Sequence, residues 1–305
     1  MARNRHPHLE GLKITSLAAE GNAMGKWNDI VVFVPLTVPG DVVNVQIRTK
    51  RRRYMEGYVT EYIERSPMRV EPMCAHFGVC GGCKWQNIPY SEQIAFKQQQ
   101  VVDQLTRIGH LELPEISPIL GSAKTDHYRN KLEFTFAPKR WKTYEEVARG
   151  EDIADTPALG FHIPGMFDKI LDIDYCHLQA SPSNEIRNEL KRFCIQKGIS
   201  FYDIRQHSGL MRNIVIRTAS TGEVMVIVVF AEQNDEAIER VMGHLKATFP
   251  EITSLVYMIN DKLNDSLGDR EPILYAGRDH IFEQMENLRF KVGPKSFYQT
   301  NSEQA

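Results

Sequence analysis

Cys74-Ala-His-Phe-Gly-Val-Cys80-Gly-Gly-Cys83 is the stretch on which the reading of this chain turns. It places three thiols in the pattern C-x5-C-x2-C, inside a segment from Pro67 to Pro89 with few periodic apolar positions. Something other than a hydrophobic core must organise such a loop. Soft thiolates suit zinc or an iron-sulfur cluster, so ligand type alone does not choose. Structural zinc usually takes two short-spaced pairs, whereas three grouped cysteines and one remote one fit a [4Fe-4S] cluster better. Cys176, in Asp174-Tyr175-Cys176-His177, is the candidate fourth ligand; alternatively it is a core residue, or His76 or His177 completes a zinc site. Gly81 and Gly82 allow the tight backbone that wrapping a cluster requires. Cys194 stands between Phe193 and Ile195 in a helical pattern and reads as a small core residue.

Upstream, residues 12–65 alternate short β-branched runs with turn residues, as in Val31–Val34, Pro39-Gly40-Asp41 and Val42–Ile47. This predicts a small OB-like antiparallel barrel over 1–66. The cationic run Arg48, Lys50, Arg51, Arg52 and Arg53 is expected at a loop tip between its third and fourth strands. Such a loop either keeps a hairpin soluble or neutralises nucleic-acid phosphates with little base specificity. Tyr54 and Tyr58 lie close enough to offer a stacking surface for unpaired bases, or else pack into the barrel.

Downstream, Ser91 to Ile108 carries a helical stripe of Ile94, Val101, Val102, Leu105 and Ile108, with Ser91 as the expected N-cap and Gly109 as the stop. It closes a cysteine-rich module spanning 67–110. Over 111–290 an α+β domain is expected, with strands at 131–136, 159–163, 213–218, 224–230 and 254–259, helices at 182–197 and 234–249, and a polar surface excursion at 140–156. Arg129 and Lys131, two apart on a strand, extend a basic track or pair with Glu133.

The 305 residues suffice for two or three domains, and 42% hydrophobic with 25% charged residues is a globular composition. A net charge of −2 excludes a uniformly basic coat but not a local basic surface. The N-terminus has no apolar stretch resembling a signal peptide and no membrane span is read, so the expected compartment is cytoplasmic. No obligate protein partner is evident.

The cysteine motif with Lys84-Trp85-Gln86, the barrel's Phe33-Val-Pro and Pro39-Gly-Asp, Tyr128-Arg129-Asn130-Lys131, His207-Ser-Gly209, Met211-Arg212-Asn213 through Arg217, and Ser296-Phe297-Tyr-Gln299-Thr-Asn301 together carry a resemblance. Their order resembles that of the TRAM-domain, iron-sulfur-containing RNA uracil-5-methyltransferases that modify 23S ribosomal RNA or transfer RNA. The resemblance implies a multidomain protein: a TRAM barrel that holds RNA, a cluster-bearing central domain, and a Rossmann-like domain for S-adenosylmethionine. In such enzymes a cysteine adds to C6 of uracil, which makes C5 nucleophilic towards the methyl group, and a carboxylate later removes the C5 proton. It further implies Cys74, Cys80, Cys83 and Cys176 as ligands of a [4Fe-4S] cluster, Phe297 in the base pocket, Gln299 at the cofactor or target base, and RNA, ribosomal rather than transfer, as partner. No catalytic residue falls in this chain. Only 291–305 would belong to the methyltransferase domain, so the expectation is that this domain is largely absent and the chain alone inactive.

Two rivals stand beside this. A radical methylthiotransferase also joins a TRAM domain to a cluster, but with C-x3-C-x2-C and an open iron, unlike the spacing here. A non-catalytic RNA-binding protein with a structural zinc site is the other.

Overall fold

The structure, a computed structural model, describes residues 6–150 and 154–305. The first five residues of the predicted barrel domain and residues 151–153 of the predicted excursion lie outside the described residues. The chain divides into two compact units, residues 1–78 with 82–121, and residues 79–81 with 122–305.

In the first unit, β1 (His8–Leu17), β2 (Asn22–Trp27), β3 (Ile30–Pro35), β4 (Val42–Lys50) and β5 (Tyr54–Glu64) form a closed barrel in the order β1-β2-β3-β5-β4. Closure leaves no free sheet edge. The strands alternate, so Leu12, Ile14, Val32, Val34, Val43, Val45 and Met55 fill the interior. The Pro39-Gly40-Asp41 turn works through both of its last residues. Gly40 has φ +96°, which favours glycine, and Asp41 turns inward, accepting from the N–H groups of Val38 (2.7 Å) and Ser66 (2.9 Å). Arg69 Nη2 donates to Asp41 Oδ2 at 2.6 Å and to the Leu36 carbonyl at 3.1 Å, and Asn87 Nδ2 donates to that same carbonyl. The coreless segment after the barrel is thereby fastened to it at both ends.

Four local expectations are corrected. The barrel is not antiparallel throughout, because it closes through a parallel pairing of β3 with β5. The cationic run lies between the fourth and fifth strands, because β1 is an additional strand. The helix after the cysteine loop, α1 (Tyr90–Asp103), starts one residue early, with Pro89 at the capping position and no side-chain cap, so Ser91 does not serve as N-cap. Its last turn loosens into a π-helical turn over Gln104–Ile108 before Gly109, and none of its apolar stripe is buried among the described residues.

The second unit is built on a seven-stranded sheet. Its strands are β6 (Lys131–Ala137), β7 (Ala158–Ile163), β8 (Met166–Asp172), β9 (Met211–Thr218), β10 (Val224–Phe230), β11 (Ile252–Ile259) and β12 (Ile273–Gly277), in the order β12-β11-β10-β9-β6-β7-β8. Only β10 and β11 run parallel, joined through α4 (Asp235–Thr248); the other pairs are antiparallel. A short helix, α2 (Tyr144–Ala148), with a Thr143–Glu146 capping box, stands within the predicted excursion. One sheet face is apolar throughout: Phe134, Ile214, Val226 and Phe230 pack under α3 (Ser183–Gln196) and α4 through Ile186, Leu190, Val241 and Leu245. The other face is divided. Over β9 to β11, Val215, Ile227 and Val256 are covered by Ile281 and Val292 of the hairpin β13 (Ile281–Met285) and β14 (Leu288–Val292). Over β6 the same face presents Lys131, Glu133 and Thr135, which alternate with the buried Leu132, Phe134 and Phe136.

Candidate functional site

The polar half of that face is where functional chemistry gathers. Strand register sets Lys131 opposite Arg217, Glu133 opposite Val215 and Thr135 opposite Asn213. Like charges directly opposed across antiparallel strands are unfavourable. Burial is the main cause of a lowered Lys131 pKa, and Arg217 adds to it while Glu133 opposes it. Arg217 is 5% exposed, and burial lowers its pKa too. Its Nη2 donates to the Ser296 carbonyl at 2.6 Å, and its buried Nε has no acceptor among the described residues. Glu133 keeps accessible surface but is surrounded closely enough that desolvation raises its pKa. A desolvated pair of cations is chemically suited to an anion, since a phosphate oxygen would relieve the repulsion.

Segment 296–302 runs along the start of β6. Arg129 bridges Asn301, Asn130 N–H donates to the Thr300 carbonyl at 2.8 Å, and Asn130 Nδ2 donates to the Gln299 carbonyl at 2.6 Å. These bonds hold Phe297 outward with 85% of its surface exposed. A ring that exposed contributes nothing to the core and offers its face for stacking. Arg129, Lys131, Phe297 and Gln299, predicted separately, are thus brought to one place. Arg217 stands within one of the sequence motifs but is not singled out by it; its alignment with Lys131 needs the strand register, which the sequence does not display.

In the first unit, Arg48, Lys50, Arg51, Arg52 and Arg53 are all exposed, and among the described residues none forms an ion pair. The Arg48 guanidinium lies 4.4 Å from the ring centroid of the exposed Tyr58. Tyr54 instead meets Phe33 edge-on at 6.0 Å. The turn therefore presents unneutralised charge beside one stacking ring.

The cysteines are distributed between the two units. Cys74 and Cys83 belong to the first, Cys80 and Cys176 to the second. Cys74 N–H donates to Gln86 Oε1 at 3.1 Å. Cys176 is buried, its backbone held on both sides by the Asn184 side chain at 2.8 and 3.1 Å, and Cys80 packs against the same apolar core. A Cβ on Gly81 would stand 2.6 Å from Pro164 Cγ, so glycine is required there. The thiol chemistry matches a cluster. The gathering does not: among the described residues, no three His, Cys, Asp or Glu side chains are grouped to hold a metal ion. Where a metal supplies the closing energy of a loop, ligand spacing is written in the sequence ahead of any assembled geometry. Cys194 is fully buried and burial pushes its thiol up to about 12, as suits a core residue.

Comparison with known proteins follows the same lines. Residues 11–60 match the TRAM domain. An uncharacterized RNA methyltransferase of Bacteroides thetaiotaomicron is 55% identical over 95% of this chain and 64% of its own length, and an uncharacterized RNA methyltransferase of Porphyromonas gingivalis is 52% identical over 96% and 64%. The chain therefore spans a little under two thirds of the curated relatives it matches. Among solved structures, the Pyrococcus abyssi tRNA (uracil-54, C5)-methyltransferase in complex with S-adenosyl-L-homocysteine superposes with a TM-score of 0.67 at 25% identity, covering 96% of this chain and 62% of that one. This corrects the expectation of a chain from which the methyltransferase part is largely absent and which is inactive for that reason. Almost every residue aligns with a methyltransferase solved with S-adenosyl-L-homocysteine, so the likeness runs along the whole length of the chain, and where it ends carries no conclusion about activity. The chain carries a TRAM domain and is homologous, over nearly all of its length, to bacterial RNA methyltransferases.

Proposed function

We propose that this protein takes part in S-adenosylmethionine-dependent methylation of uridine C5 in RNA. The observation that carries the reading is the Lys131–Arg217 cation pair set beside the exposed Phe297. Together they are suited to a phosphate and to an unstacked base, which an RNA nucleotide presents at once. Likeness to the Pyrococcus abyssi enzyme supplies the reaction class and the cofactor. In this reading the cationic turn Arg48–Arg53 holds backbone phosphates, Phe297 stacks on the base, and Gln299, whose side chain is exposed, reaches the cofactor or the base.

Ribosomal RNA is the substrate that the family resemblance of the sequence motifs implies. Transfer RNA is the second reading, favoured by the structural likeness to a tRNA enzyme. A [4Fe-4S] cluster on Cys74, Cys80, Cys83 and Cys176 is the finer part of the proposal; it rests on spacing and thiol chemistry, and its role would be to staple a coreless loop. Anaerobic purification with iron, acid-labile sulfide and zinc analysis tests it. About four irons and four sulfides per chain are expected; one zinc and no iron contradicts it.

The reaction is tested in cells with and without the gene. Ribosomal and transfer RNA are separated, digested to nucleosides and measured for 5-methyluridine by mass spectrometry. Loss from one fraction is expected and identifies the substrate; unchanged 5-methyluridine in both contradicts the reading.

A further inference from the structure

A cleft of about 410 Å³ opens in the second unit between β6, β8 and the loop bearing Tyr202 and Arg205. Two residues of its lining, Arg212 and His162, each keep a buried nitrogen without a hydrogen-bond partner among the described residues. Arg212 is 1% exposed. Its Nη1 donates to the Asn260 and Lys262 carbonyls at 2.7 and 2.5 Å, and its Nη2 to the Asn264 carbonyl at 3.0 Å and Asp265 Oδ1 at 2.7 Å. Those bonds fix the guanidinium 4.3 Å from the Tyr202 ring centroid and leave Nε–H without an acceptor among the described residues. His162 is the second: its Nε2 lies 3.2 Å from the Thr135 hydroxyl, which accepts from Asn213 Nδ2 at 3.1 Å, and its Nδ1 is buried with no partner among the described residues.

The walls and rim are of different chemistry. Trp141 and Phe167 supply flat apolar surface; Phe167 is 62% exposed, with the Arg205 guanidinium 5.3 Å from its ring centroid. Six cationic side chains and four aspartates line the cleft, and each cation is ion-paired: Lys139 and Lys142 share Asp155, Lys169 and Arg205 share Asp168, Arg212 meets Asp265 and Arg140 meets Glu146. Its volume is within the range that holds a small ligand.

We propose that this cleft is a second nucleotide subsite, taking an unpaired nucleotide of bound RNA that is not the one being methylated. The unpartnered Arg212 Nε–H calls for an acceptor such as a carbonyl oxygen, which uracil, cytosine and guanine present. Aromatic walls match the flat base, and the two cation pairs that share Asp155 and Asp168 leave a positive excess for the phosphate. The subsite rests on the RNA reading above and extends it. Thr135, which orients His162, is four residues along β6 from Lys131 on the same face, a distance of about 13 Å. A strand of RNA seated at Lys131 therefore has a neighbouring nucleotide to place in the cleft.

The test uses the 305-residue chain, a fluorescein-labelled single-stranded RNA containing uridines, and the variants Phe167→Ala and His162→Phe. Phe167 is exposed, so its removal spares the fold, which thermal melting checks. Phe167→Ala is expected to weaken RNA binding about tenfold, and His162→Phe to weaken it through loss of a polar contact. 4-Thiouridine in the same RNA should crosslink within 135–142 or 162–170, and excess uridine monophosphate should compete that crosslink away. A parent chain that binds no RNA overturns the RNA reading, and the subsite with it. Binding by the parent that both variants retain in full, with crosslinks only elsewhere, overturns the subsite alone. Saturable binding of the monophosphate with no RNA crosslink in the cleft overturns the assignment to RNA and gives the cleft to free nucleotides.

Discussion

Lys131 on β6 and Arg217 on β9 face each other directly across an antiparallel pair, two cations where strand pairing ordinarily places opposite charges or apolar groups. Lys131→Met removes the repulsion and keeps the aliphatic stem. It should raise stability by about 0.5–1 kcal/mol in urea melts while weakening RNA binding. The folded-state pKa of Lys131 is lowered, chiefly by burial and then by Arg217, so the folded state resists protonation there. Stability of the parent should therefore gain on the variant as pH rises through the lowered pKa towards the ordinary lysine value of 10.5. A variant that is both less stable and equally good at binding RNA would contradict the anion-site assignment.

Asp41 and Arg69 clamp the segment after the barrel. Burial alone would raise the Asp41 pKa, but hydrogen bonds from Arg69 and from the Ser66 and Val38 N–H groups outweigh it and hold the carboxyl below its ordinary 3.8. Asp41→Asn keeps the shape and loses the charge; the cost should be about 3 kcal/mol, read from the denaturation midpoint. A depressed carboxylate contributes stability above its unfolded pKa, so the gap between parent and variant should close as pH falls below 3.8. A gap independent of pH would mean that the ion pair is not what fastens the segment.

The cationic turn should serve binding alone. Replacing Arg51, Arg52 and Arg53 together by alanine is expected to leave the melting temperature within about a degree or two, because exposed surface changes are usually within about 0.5 kcal/mol. The slope of log K against log salt for single-stranded RNA should shrink by about 0.7 for each phosphate no longer neutralised. An unchanged slope would return the run to a solubilising turn.

Cys194 and the motif cysteines should part in reactivity. Burial raises the Cys194 thiol to about 12, so iodoacetamide at pH 8 should spare it in the native protein. The half-buried Cys74 should react in metal-free protein and be shielded once its thiolate is ligated. Labelling of Cys194 before unfolding would show that the core under α3 opens readily.

Much of the fold was legible in the sequence because the runs that build it are regular. Val224–Phe230, wholly buried, reads as a strand from its β-branched content, and the Lys-Leu-Glu-Phe-Thr-Phe alternation of β6 separates its two faces outright. Shorter and weaker patterns were missed: β8, β12, and the hairpin from Ile281 to Val292 that covers half a sheet face. The α1 stripe has the right spacing and yet is not buried among the described residues, since periodicity shows which side of a helix is apolar, not what covers it. For the candidate site, Arg129, Lys131 and Phe297 were found from sequence. Arg217, Arg212 and His162 were not, because each owes its place to register or to a bond network between distant segments: Arg217 pairs with Lys131, Arg212 holds the carbonyls of 260–264, and His162 meets Thr135.

Titration of fluorescein-labelled single-stranded RNA into the purified chain at several salt concentrations, with Lys131→Met and the Arg51/Arg52/Arg53 alanine variant alongside, tests most directly whether these cationic surfaces hold RNA. The expected result is salt-dependent binding whose slope falls in each variant, with duplex RNA of the same sequence binding more weakly. Equal binding by parent and variants, or a preference for duplex over single strand, would contradict it.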